Sequence, residues 1–210
     1  MTDGVIQCYG WSERFAMQEN YKMIVSAEEQ FAREVTLGVI VQQPLSVWHV
    51  LIPGVFIFDF LRRNTAISRY TRHFMFPRRL AIDAAQNLLK GYDTASVNSK
   101  TAAEIENWLN ALGLYSPQLD RAQKKALDLL TAHYGKLLAA EGTSFYELIE
   151  HAYASREAYE NHLRELSAAE DDLDREIIAI AGDNQKLKEK LQLEKQQVAM
   201  RRQKILEAIF

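Results

Sequence analysis

The sequence predicts an all-α protein: a helical globular domain followed by a long coiled-coil helix or a helical hairpin. Three observations carry that expectation. Strand signals are nearly absent, and no Asn-Gly or Asp-Gly turn joins two candidate strands. Helix starts and stops punctuate residues 1–142. The remainder, residues 143–210, carries a heptad pattern, and the predicted domain boundary falls between the two.

Within 1–142, Ser12 is placed to cap a first helix carrying Phe15, Tyr21, Ile24, Val25 and Phe31 near helical spacing. Pro77 is placed to open a helix through Leu80, Ala84, Leu88 and Leu89 that Gly91 closes. Residues 92–100 (YDTASVNSK) are polar and read as a loop. Thr101 with Glu104 forms a capping box for the next helix, which Gly113 ends. Ser116-Pro117 starts another, running to Gly142.

With Phe145 at position d, alternating steps of four and three place Ile149, Leu163, Ile177, Asn184, Leu191, Val198 and Ile205 at a. The same steps place Leu166, Leu173, Ile180 and Leu187 at d. The phase passes through Gly182 without a slip, which favours one helix over 144–209. Asn184 at a then predicts a parallel homodimer through residues 145–208, since a buried amide there pairs with its twin. The competing geometry is a hairpin turning at Gly182-Asp183, which would bring Glu170 near Glu194, two acids at seam positions. Apolar residues off the seam, Leu193, Met200, Leu206 and Ile209, predict that the distal end touches something further.

An apolar segment, 35–61, precedes an Arg-rich segment, 62–79. Residues 35–58 run for 24 positions without a formal charge. That is long enough to cross a bilayer, but Gln42-Gln43-Pro44 and Pro53-Gly54 interrupt it, so a plain span fits poorly. Two expectations follow. The run is a buried core helix, or it is a membrane insert contacting lipid through Trp48, Leu51, Ile52, Val55, Phe56 and Ile57.

The net charge of −3 is unevenly spread: residues 59–82 set Asp59 against Arg62, Arg63, Arg69, Arg72, Arg78 and Arg79. Six arginines and no lysine favour forked contacts to an anion, either a membrane headgroup or the chain's own carboxylates. Nucleic acid is a third and weaker candidate, with Tyr70, Phe74 or Phe76 stacking on bases. No phosphate-binding glycine loop and no zinc spacing occurs. Glu147 and His151 lie one turn apart without a second such pair, so no metal and no cofactor is expected. Cys8 stands alone, and the N-terminus lacks a basic stretch followed by an apolar one, which predicts a cytoplasmic location. The sequence thus predicts a non-catalytic, homo-oligomeric assembly or adaptor protein docked on an anionic membrane, with a protein partner. Its rival is a helical enzyme or accessory subunit using a buried polar site around His49 and Asp59.

Overall fold

A computed structural model of the chain describes the backbone of residues 3–41, 53–182 and 184–210 and the side chains of 15–40, 65–182 and 184–210. Among the described residues there are seven helices and no strand. They are α1 (Asp3–Val41), α2 (Pro53–Leu89), α3 (Thr94–Ala111), α4 (Pro117–Ala139), α5 (Phe145–Ala152), α6 (Arg156–Ala181) and α7 (Gln185–Ile209).

Helices α1 and α2 lie antiparallel. Their register is marked by Tyr21 Oη donating to Asp83 at 2.7 Å, Arg78 to Glu28 at 3.0 Å and Thr71 to Thr36 at 3.1 Å. Helix α4 is central, and it packs on α1, α2, α3, α5 and α6. Its buried stripe includes Leu119, Leu127, Leu130, Tyr134, Leu137 and Leu138. The C-terminal carbonyls of α4 would be left bare by the helix end, and buried Asn20 serves two of that stretch. Its Nδ2 donates to Leu138 O at 3.2 Å and to Ala140 O at 2.8 Å.

Several starts were read one or more turns late. Helix α1 already runs from Asp3, so Ser12 is interior. Pro77 lies inside α2 and does not open it. The ring removes the N–H that the His73 carbonyl would accept, a loss that packing on both sides of α2 outweighs. Helix α3 begins at Thr94, with Asp93 accepting from Ser96 N at 2.8 Å, so most of the supposed loop 92–100 is helical. Thr101 then sits buried on the inner stripe with Val97, Ile105 and Leu109, and Glu104 pairs with Lys100 at 3.9 Å. The Ser116-Pro117 start is as expected, with Ser116 Oγ accepting from Leu119 N.

The single helix over 144–209 is overturned. The chain leaves helical geometry at Tyr153–Ser155, where Ser155 caps α6, and again at Gly182. Gly182 has φ 68°, a backbone that side chains with a Cβ disfavour. Asn184 is not a buried seam amide. It is the N-cap of α7, its side chain accepting from Leu187 N at 3.1 Å. Helices α6 and α7 therefore form the hairpin, held by Arg202 on Glu170 and by Lys195 on Asp171 at 2.5 Å. Glu170 meets an arginine there, which removes the acid–acid penalty that counted against the hairpin.

The heptad stripe is covered from within the chain. Ile149 and Leu166 belong to one buried cluster with Ile24, Ile82, Tyr134 and Leu206, and Leu163, Leu173, Ile177 and Ile205 pack against it. Val198 closes a second cluster with Val35 and Val39. Ile180 is exposed, and Leu187 and Leu191 are half-buried. Core residues thus come from both sides of Gly142, the predicted boundary. The off-seam Leu206 and Ile209 touch this same core.

Gly38 on α1 lies against Gln197 of α7. A Cβ there would run into the buried side chain of Gln197. Two predictions follow. Gly38→Ala should cost about 1–3 kcal/mol in urea unfolding, because Gln197 has to give way in a filled interior. Leu166→Ala should cost roughly 2–5 kcal/mol, with a melting temperature that does not move with protein concentration. A concentration-dependent loss would return that stripe to an interchain seam.

Candidate functional site

The arginine segment divides once it is folded. Arg78 turns inward, 7 % exposed, with its Nε 3.0 Å from Glu28 and a terminal nitrogen 3.7 Å from Glu170. Its guanidinium lies over the Phe74 ring at 4.1 Å and nearer its edge of reach to Phe31 at 5.6 Å. Glu170 is gripped from the other side by Arg202, two parallel bonds of 2.7 Å. The result is a chain of alternating charge, Glu28–Arg78–Glu170–Arg202, crossing from α1 through α2 and α6 to α7. Burial alone would push the Glu170 carboxyl up, but the Arg202 charge and its hydrogen bonds hold it below its ordinary value. Of the two anions the sequence offers this segment, Arg78 meets the chain's own carboxylates and not an external one.

Beside this chain of charge lies an aromatic cluster from α4, α6 and the α5–α6 connection. His133 Nδ1 and Tyr153 Oη share a hydrogen bond of 2.7 Å. The His133 and His162 rings stack at 4.7 Å, and Tyr159 completes the wall. Burial lowers His133 well below 6.5, helped by the proximity of His162, and lowers His162 to about 4, helped by Arg202. Both imidazoles are neutral near pH 7. His162 Nε2 and the Tyr134 hydroxyl are buried without a hydrogen-bond partner. Burial raises the Tyr134 phenol, and the Glu28 carboxylate raises it further. A cleft of about 270 Å³ reaches this cluster between α1 and α7, lined by Glu28, Arg78, His133, Tyr159, His162 and Arg202. His133 is committed to Tyr153, while His162 keeps an unbonded ring nitrogen, and burial makes both imidazoles weak bases.

Arg69 and Arg72 are exposed, and neither they nor Arg33 on α1 form an ion pair among the described residues. Arg79, also exposed, reaches Glu29 at 3.4 Å. Arg33, Arg72 and Arg79 rim an open groove of about 830 Å³ with Ile67, Met75, Phe76 and Leu80 on its floor. Arg62 and Arg63 lie on the first turns of α2, and their side chains are outside the described residues, as are those of Val55, Phe56, Ile57 and Asp59. Trp48, His49, Leu51 and Ile52 also lie outside the described residues. The described start of the charge-free run is core: Val35 and Thr36 are fully buried and Val39 nearly so. Among the described residues no helix is long and apolar enough to cross a membrane.

The aromatic side chains proposed for base stacking are committed elsewhere. Tyr70 hydrogen-bonds Glu194, Phe74 lies under Arg78, and Phe76 stacks on Trp108 at 5.0 Å. Glu147 accepts from Thr143 N at 2.7 Å, and His151 Nδ1 contacts the Glu141 carbonyl at 2.5 Å, so that pair fastens the α5 turn. Among the described residues no group of three ligand-type side chains could hold a metal. Sequence reasoning missed Glu28, His133, Tyr159, His162 and Arg202 as partners, and nothing in their spacing marks them; only the fold brings them together. No family model matches the chain, and neither a curated protein nor a solved structure matches it.

Two predictions test the buried network. Arg202→Met should cost about 1–3 kcal/mol, since it leaves the half-buried Glu170 with only Arg78 at 3.7 Å. The histidines act through pH. As pH falls, the unfolded chain takes protons at about 6.5 while folded His162 resists to about 4, so their contribution is complete above 6.5 and is lost through that window. His162→Gln should therefore lose less stability than wild type between pH 7 and 5 in urea titrations. An equal loss in both proteins would show that His162 is not held neutral.

Proposed function

We propose that this chain is a non-catalytic helical adaptor that docks on an anionic membrane surface through its α1–α2 pair. The observation that carries this is the set of arginines without ion-pair partners among the described residues, Arg33, Arg69 and Arg72, on the helices that flank the charge-free run. Elsewhere in the interior, arginine is matched by carboxylate with good geometry, as at Arg78 and Arg202. Arginine left in water beside an apolar segment is what holding acidic headgroups requires. Residues 42–58 supply apolar side chains without charge, which favours shallow insertion alongside that electrostatic grip. The non-catalytic reading is supported by the buried imidazoles, whose basicity burial lowers.

Co-flotation with vesicles tests the proposal. Wild-type protein should float with phosphatidylglycerol-containing vesicles and far less with phosphatidylcholine alone. Changing Arg69 and Arg72 to Gln should remove roughly 2 kcal/mol, about thirtyfold, of binding to the anionic vesicles only. High salt should reproduce that loss in wild type. Protein that stays at the bottom of the gradient with anionic vesicles overturns the proposal.

A further inference from the structure

Helices α1 and α2 pair in a register that Thr36 with Thr71 and Glu29 with Arg79 both mark. Counting along the antiparallel helices from either contact sets Arg33 level with Phe74 or Met75, so Arg72 lies within one turn of that level. Both arginines are exposed, and both line the open groove of about 830 Å³. Ser68, one turn before Arg72 on the same helix, adds a hydroxyl to that lining.

The formal charges of the lining balance, but their positions do not. Glu29 is held by Arg79 at 3.4 Å, and Glu104 lies 3.9 Å from Lys100. Asp83, with the Tyr21 hydroxyl on it, lies three turns along α2 from Arg72, about 16 Å. Arg33 and Arg72 form no ion pair among the described residues, so positive charge is left over where they stand. The floor beside them is apolar: Met75 and Leu80 are buried, and Ile67 and Phe76 are half-buried. Forked guanidinium groups match a phosphate, and an apolar floor next to them suits an aliphatic chain.

We propose that this groove holds a single anionic phospholipid, its phosphate between Arg33 and Arg72 and its acyl chain on Ile67, Met75 and Phe76. The assignment rests on the membrane reading above and narrows it from a charged surface to one lipid site. A free phosphate would meet the arginines and leave the floor uncovered. A lipid meets both, because its chain takes the floor out of water while its headgroup stays at the exposed rim.

Isothermal titration with dihexanoylphosphatidylglycerol, below its aggregation threshold, tests this. Dihexanoylphosphatidylcholine and glycerol 3-phosphate are the comparators, one without net charge and one without chains. Saturable binding of the glycerol lipid is expected, about tenfold tighter than either comparator. Arg33→Gln and Arg72→Gln should each weaken it about fivefold. Arg69→Gln should leave it unchanged, because Arg69 lines a different cavity. Ile67→Ser should weaken both lipids and leave glycerol 3-phosphate as it was. Circular dichroism melts establish that the variants fold; if they do not, the order of the three ligands on wild type decides. No binding by wild type, a comparator as tight as the glycerol lipid, or unaltered affinity in both arginine variants would overturn the proposal. Concentration-dependent dimerisation that Arg72→Gln abolishes would assign the groove to a second copy and overturn it too. Flotation with anionic vesicles by a protein that binds no monomeric lipid sinks the groove and leaves docking standing. Monomeric binding without flotation supports the groove and sinks docking.

Discussion

The alternating chain Glu28–Arg78–Glu170–Arg202 is the constraint on which the rest of the structure depends. Each of the four side chains comes from a different helix, so the chain is satisfied only when α1, α2, α6 and α7 are all in place. Paired buried charges contribute little net stability, but leaving one unpaired is expensive. The network therefore acts on specificity more than on depth of the energy minimum. A fold in which α7 continued outward as a free helix would strand Glu170 beside Arg78 alone. Closing the hairpin brings two 2.7 Å bonds from Arg202 to both carboxylate oxygens.

That requirement explains why the heptad pattern misleads. A stripe of Ile149, Leu163, Leu166, Leu173 and Ile177 specifies a helix face that has to be covered and says nothing of what covers it. An interchain partner and the chain's own core present the same apolar demand. What distinguishes them is local: Ser155 and Asn184 are N-caps, and Gly182 holds a positive φ. Those breaks are weak against a phase that runs on by coincidence through a short turn. The all-helical class, the Ser116 cap and the distal apolar contacts of Leu206 and Ile209 were legible because burial periodicity and capping are local properties. The interior position of Pro77 and the early start of α3 were not, since packing of α2 and α3 overrides propensity at single residues.

The candidate site was legible in part. Six clustered arginines announced a demand for anions, and Arg78 meets it inside the chain through Glu28, fifty positions away. No spacing rule connects residues 28, 78, 170 and 202, and the same holds for His133 with His162. Charge balance within the fold is thus a three-dimensional property, and sequence composition reports only its sum.

Seen from the folded side, the balanced interior gives meaning to the charges that are not balanced. The two arginines buried among the described residues, Arg78 and Arg202, both meet carboxylates. Arg33, Arg69 and Arg72 have no such partner among the described residues and are exposed, where an unpaired arginine costs little. Asp174 and Glu194 differ, because their carboxyls are half-buried and burial raises both, the Lys195 charge offsetting the rise at Asp174 only in part. The cost of holding such an acid begins where the unfolded carboxyls ionise, at 3.8 and 4.5, and is complete once the folded ones do, above about 6 and about 7. The unpaired arginines therefore cost the fold little, whereas the half-buried acids lower its stability as pH rises.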